Sequence, residues 1–265
     1  MKFSVVTTFN QSGYESYGRR MINTFLANWP AEVDLWVYAE DCAVTESATN
    51  LHVLDLHHAS PELVAFKQQW GNDLRATGKQ PRGPVDKKGK QIGIGFKWDA
   101  VRFAHKVYSI FHAAKNCNSQ WLLWMDADTV CHSPILIEQI QQFCRGELCF
   151  LGRQNKYTEC GLYAMNLTSP ACQQFLKKFQ EYYDQAETGI FTLDEWHDSF
   201  VFDAVRSVVP VIELDWAHGL IKGEGHPLIN SEWGAYLDHL KGARKSQGRS
   251  KLTDLKVTRT EGYWQ

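Results

Sequence analysis

Apolar and polar positions along the chain fall into short alternating blocks whose period changes from block to block. Phe3 to Phe9 is a run of β-forming residues that ends in polar Asn10, and it predicts a strand. A turn over Gln11-Ser12-Gly13 follows. Tyr17, Met21, Phe25 and Trp29 then recur at four-residue spacing, which predicts a helix from Tyr14 to Trp29 stopped by Pro30. Val33 to Ala39 and Leu51 to Leu56 read as the next two strands. Strand, helix, strand in this order opens a Rossmann-like βαβ unit.

The pattern continues with a helix over Pro61 to Arg75. From Thr77 to Gly95 the chain turns rich in Gly, Pro and Lys, and predicts a long loop carrying Lys79, Arg82, Lys87, Lys88 and Lys90, a candidate lid. A helix resumes at Phe96 and runs through Phe111. Trp121 to Val130 reads as a buried strand that ends in carboxylates, and Pro134 to Phe143 as a helix. Glu147 to Gly152 and Gly161 to Asn166 read as strands, Pro170 to Tyr183 and Asp194 to Val205 as helices, Val211 to Leu214 as a last strand. From His218 onward periodicity fades. The stretch His218 to Pro227, with two histidines and several glycines, is a connection or a second ligand loop. The alternation predicts an α/β fold with a mainly parallel central sheet and helices on both faces.

Bulk properties narrow the class. At 265 residues and 44% hydrophobic content the chain can bury a core as a single domain spanning 1–265. A formal net charge of −2 offers no basic field for a nucleic acid polymer. No stretch reaches the roughly 20 apolar residues of a transmembrane span, and MKFSVVTTFNQ is not a secretory signal, so the expected location is cytoplasmic. Seven scattered cysteines without a Cys-x-x-Cys pair suit reduced thiols.

In α/β sheets ligands sit beyond the carboxyl ends of the strands. Asn10 and the turn Asp126-Ala127-Asp128 fall there. Two carboxylates one residue apart at the end of an apolar strand repel each other unless a cation joins them. Hard divalent ions, manganese or magnesium, take such oxygen ligands and bridge them to phosphate. Small Ala127 leaves room for a ligand to approach the backbone. Near the C-terminus, His239, Gly242 and Lys245 stand three residues apart. An imidazole can complete a manganese shell, a glycine admits a phosphate close to the backbone, and a lysine places charge on it. The same segment also reads as a glycine-capped helix end with solvated cations.

Five segments together resemble GT-A fold glycosyltransferases, specifically the glycogenin-like family 8 enzymes. VTTFNQSGY (Val6 to Tyr14) resembles the first strand with its nucleotide-binding residues, here Thr8, Asn10 and Tyr14. FKWDAVRF (Phe96 to Phe103) resembles the helix whose lysine reaches the donor, here Lys97. WMDADTV resembles the metal-binding segment, with Asp126 and Asp128 as ligands. ECGLYAMNL (Glu159 to Leu167) resembles the strand lining the donor sugar. HLKGARK resembles the terminal His-x-x-Gly-x-x-Lys motif, with His239 as third ligand and Gly242 and Lys245 on the diphosphate.

The resemblance implies a manganese-dependent transfer of a hexose from a nucleoside-diphosphate sugar, a UDP-sugar, to a carbohydrate or other hydroxyl acceptor, with retention. It implies a nucleotide-binding half over 1–130 and an acceptor- and metal-completing half over 131–265. Asp198 and Ser199 stand where the family has Asp-Gln, with Asp198 expected to contact the acceptor or the reacting sugar. Glu159-Cys160 replaces the family's Asn, and Ser246-Gln247 its Pro-Trp. These departures keep open a catalytically inactive nucleotide-sugar or carbohydrate-binding protein. A nucleotidyltransferase also uses acidic clusters, but no glycine-rich phosphate loop follows the first strand.

Overall fold

The computed structural model describes residues 1–218 and 226–265. Strand β1 (Phe3–Asn10) leads into one helical stretch: α1 (Gln11–Gly13), a π turn over Tyr14–Gly18, and α2 (Arg19–Asn28). Asn10 caps it, its Oδ1 accepting from Gly13 N at 2.9 Å. Strands β2 (Asp34–Glu40) and β3 (Leu51–Asp55) follow, then α3 (Leu56–Ala59) and α4 (Pro61–Trp70), which has proline in its first turn.

The stretch expected to be a loop is instead anchored by a hairpin. β4 (Thr77–Lys79) pairs antiparallel with β5 (Ile94–Asp99). The helix expected from Phe96 therefore begins four residues later, as α5 (Ala100–Asn116), with Asp99 as its cap. The positive φ of Gly78, at 62°, explains its residue type: a Cβ there would also collide with Gly95 O.

The expected strand Trp121 to Val130 is broken by its carboxylates into β6 (Trp121–Met125) and β7 (Thr129–Cys131). Then come α6 (Ile137–Phe143), β8 (Leu148–Leu151), β9 (Glu159–Asn166), α7 (Pro170–Asp184), α8 (Asp198–Arg206) and β10 (Glu213–Asp215). The tail holds α9 (Pro227–Asn230), β11 (Leu237–His239) and α10 (Arg244–Gln247). Most of the stretch His218 to Pro227 lies outside the described residues.

The main sheet has seven strands in the order β10-β8-β9-β6-β1-β2-β3. Every pairing is parallel except the two made by β9, which runs against β6 and β8. Alternate residues of a strand feed opposite faces. Val6, Leu122 and Trp124 point into a core covered by α4, α5, α7 and α8. Val5, Leu123 and Met125 point into a second core with Met21, Phe25, Ile140 and Trp233. This is a mixed α/β fold with helices on both faces of a mostly parallel sheet. All seven cysteines are free. Among the described residues no helix is long and apolar enough to cross a membrane.

Candidate functional site

The carboxyl edge of the sheet gathers the chemistry. Because β9 is reversed, its first residues meet the last residues of β6 there. Asp126 N donates to Gly161 O at 2.8 Å, and Thr129 N closes the acidic turn on Asp126 O at 3.0 Å. β11 pairs antiparallel with β7, placing His239 opposite Thr129. His239 Nε2 then lies 3.0 Å from Asp128 Oδ1 and 3.4 Å from Asp126 Oδ2. One ligating atom from each of these three residues falls within 4.8 Å of the others.

The donor set fits a hard divalent ion. His239 is fully buried, yet neither ring nitrogen has a well-directed hydrogen bond despite the short approach to Asp128. Buried polar atoms without partners are costly, and a metal would satisfy Nε2. Burial disfavours charge on His239, but Asp128 and Asp126 outweigh it and raise its pKa. Burial likewise disfavours ionised Asp128, and His239 and Lys245 hold its carboxyl far below the usual range.

Lys245 Nζ sits 3.0 Å from Asp128 Oδ2 and 4.3 Å above the Tyr17 ring. Gly242 adopts φ 59° with open space beside its Cα. Glycine is therefore needed here for the left-handed turn, and not to relieve crowding. Ala127 is buried beneath the acidic turn.

A second cluster adjoins the first through Lys106. Its ammonium contacts Asp198 Oδ2 at 2.7 Å and Asp126 Oδ1 at 3.3 Å, donates to Cys160 O, and lies 4.5 Å over the Trp124 ring. Burial opposes the charge on Lys106, but Asp126 and Asp198 prevail and raise its pKa. Asp198 opens α8, and the backbone N–H of Ser199 donates to its Oδ1 at 2.8 Å. Glu159 is buried, accepts from Lys241, and lies 3.4 Å from Arg153 and 3.9 Å from His239 Nδ1. Its carboxyl titrates at about 2: burial would raise it, and Lys241 and His239 pull it down.

Several expectations need correction. Lys97 lies on strand β5 and not on a helix, with its ammonium 2.6 Å from Glu195 Oε1. The helix lysine that reaches the acidic turn is Lys106. Tyr14 is 1% exposed, its ring stacked on Phe9 and its hydroxyl held by Glu46 at 2.7 Å. It presents no face to a base. Tyr17, one turn on, is the aromatic beside Lys245. Thr8 Oγ1 donates to Tyr38 O at 2.7 Å, and Asn10 caps the first helix, so both stand at the edge with an oxygen already engaged. Sequence reasoning singled out neither Lys106, Lys241 nor Tyr17, and met Glu159 and Gly161 only within the segment resembling the sugar-lining strand. Lys106 alone left a clear sign, a cation inside an apolar helical stripe.

A cavity of about 850 Å³ opens beside Asp126, lined also by Lys97, Arg153, Glu159, Cys160, Gly161, Asp198 and Ser199. It is large enough for more than one sugar ring, and its polar groups converge on the acidic turn.

No family model and no curated protein matches the chain. Among solved structures it is similar to mouse xyloside xylosyltransferase 1, at 12% identity and a TM-score of 0.47, over 81% of this chain and 85% of that one. It is similar to the bifunctional glycosyltransferase WbbM at 10% identity and a TM-score of 0.45, over 77% of this chain and 37% of that one. The glycosyltransferase GlyE of Streptococcus pneumoniae gives 13% identity and a TM-score of 0.43, over 81% and 45%. The chain thus matches less than half the length of WbbM and of GlyE.

Proposed function

We propose that the chain is a metal-dependent glycosyltransferase of GT-A type, resembling the glycogenin-like family 8 enzymes, with 1–265 as one catalytic unit. It moves a hexose from a UDP-sugar to an acceptor hydroxyl with retention. The observation that carries this reading is the Asp126, Asp128 and His239 cluster with Lys245 upon it, joined from the centre and the end of the chain at the carboxyl edge of the sheet. Manganese or magnesium bound there would neutralise charge on the departing diphosphate.

The remaining roles belong to the chain's own side chains. Lys245 supplies a point charge to the diphosphate, and the Gly242 turn keeps that approach open. Tyr17 offers an aromatic face next to it. Asp198, fixed by Lys106 and by its place at the start of α8, faces the cavity where the sugar would react. Retention requires positioning and charge stabilisation more than a strong nucleophile, which suits Ser199 in place of a longer amide.

Thermal unfolding with UDP and Mn²⁺ tests the donor half. The two together should raise Tm by several degrees through mass action, and neither should do so fully alone. Asp128→Asn should abolish the rise and the metal-dependent hydrolysis of UDP-sugars. A wild-type protein indifferent to every nucleoside diphosphate with manganese would sink the reading. Stabilisation without turnover would favour the binding-protein alternative, which Ser199 motivates.

A further inference from the structure

The cavity beside Asp126 has an aromatic wall, and Lys245 and Tyr17 are not part of its lining. Phe96, Phe103 and Tyr157 line it around His197. The His197 ring centre is 6.1 Å from that of Phe96, 6.2 Å from Phe103 and 5.1 Å from Tyr157. Phe96 is 52% exposed. Single exposed aromatics are ordinary, but here three gather on one side of a concave site.

The wall is held rigidly. Lys97 O accepts from Trp196 N at 2.7 Å, and Trp98 Nε1 donates to Asp194 O at 2.8 Å, so β5 is pinned on the residue pair that follows Phe96. His197 is buried, its Nε2 paired with Glu195 at 2.9 Å and its Nδ1 facing Phe200 N at the start of α8. Polar groups share the lining with the rings: Lys97, Arg153, Lys156, Asp198 and Ser199. Lys97, Arg153 and Asp198 keep their own ion pairs, to Glu195, Glu159 and Lys106, but an alkyl chain would displace water from this polar lining and offer no hydrogen bond in return. A pyranose ring matches both halves, since its C–H face packs on aromatic rings while its hydroxyls meet charged and hydroxyl groups.

We propose that this wall is the acceptor subsite and that the acceptor presents a pyranose ring to it. The ring stacks on Phe96 and Tyr157, with its reactive hydroxyl turned toward Asp198. This deepens the glycosyltransferase reading and rests on it for the donor. In the transfer, the bond from the anomeric carbon to the diphosphate breaks and the bond from that carbon to the acceptor oxygen forms. The bonding pair leaves with the nucleoside diphosphate, which also takes the hydroxyl proton. Phe96 is assigned to binding, and Asp198 to orienting the hydroxyl.

Saturation-transfer NMR on the full chain with UDP and Mn²⁺ tests this, using methyl α- and β-glycosides of glucose, galactose and xylose, with glycerol and hexanol as ring-free alcohols. At least one glycoside should receive saturation, strongest on the C–H protons of one ring face. Phe96→Ala should weaken that binding about tenfold, and Phe96→Trp should restore it. Both variants should keep the wild-type rise in Tm with UDP and Mn²⁺. The subsite is overturned if no glycoside is saturated while the nucleotide shift persists. It is equally overturned if hexanol binds better than every glycoside, or if Phe96→Ala binds as wild type. Glycoside binding lost on Phe96→Ala in a protein with no nucleotide shift would instead retain the subsite and remove the donor reading.

Discussion

Gly161 sets how closely His239 can approach the acidic turn. A Cβ at this position would lie less than 3.0 Å from His239 Cε1 and Nδ1, so the methyl and the buried ring cannot both keep their places. Gly161→Ala should therefore push the imidazole away from Asp126 and Asp128 and weaken Mn²⁺ binding by roughly 10- to 100-fold. Titration calorimetry with Mn²⁺ would measure it, and unchanged affinity would remove His239 from the ligand set. The acidic pair was readable because it ends an apolar strand, and the His-Gly-Lys segment because of its spacing and its resemblance to the terminal motif. Glu159 and Lys241 were not readable, because what defines them is a neutralising contact between distant segments. Tyr14 turns inward, and Tyr17 outward, for a local reason. A π turn covers both positions, and its wider winding changes which ring faces the core.

At the level of single elements, α5 shows how a site is built into a core helix. Ala100, Ala104, Val107 and Phe111 form its apolar stripe against the sheet, and Lys106 is buried beside them. The helix tolerates the cation only because Asp126 and Asp198 meet it. Lys106→Met should leave Asp126 and Asp198, both partly buried, without their ammonium and cost about 1–3 kcal/mol of stability. Lys106→Met combined with Asp198→Asn should recover part of that loss in urea unfolding, as coupled neighbours do. Strictly additive effects would show that the ion pair is not the reason for the cost. The hairpin of β4 and β5 escaped prediction. β5 does alternate, with Ile94, Phe96 and Trp98 against Gly95, Lys97 and Asp99, but it runs directly into α5 and reads as part of that helix, while β4 has only three residues with a glycine at its centre. Strands β7 and β11, three residues each, pair across most of the second half of the chain and leave no local pattern.

For the whole molecule, the layered sheet was legible from alternating strand and helix periods as far as β10, since each element buries one face against the next. The tail was not. Its order comes from scattered apolar anchors, Trp233, Leu237 and Trp264, and from single contacts: Trp264 Nε1 donating to Gly234 O at 2.9 Å, Tyr263 hydroxyl to Asp238 at 2.9 Å, and the Tyr263 ring stacked 4.0 Å from that of His132. This strap braces β11, which carries His239, and it makes stability depend on pH. Burial lowers the His132 pKa from 6.5 to about 4. At the opposite edge of the chain's first half, Glu40 is lowered from 4.5 to about 2, where burial works against His105 and Lys67 and loses. Both pKa values are lower folded than unfolded, so the unfolded chain binds more protons as pH falls. Stability from His132 is complete above pH 6.5 and is lost on the way to pH 4. Stability from Glu40 is complete above pH 4.5 and is lost on the way to pH 2. The first step is worth at most about 3 kcal/mol, since each pKa unit corresponds to about 1.4 kcal/mol. Urea unfolding from pH 7 to pH 4 should show that decline in wild type together with one from His226, which burial lowers from 6.5 to about 3, and His132→Phe, which keeps a ring against Tyr263, should make the decline shallower. A variant that declines as steeply as wild type would place the acid sensitivity elsewhere and leave the strap without a part in it.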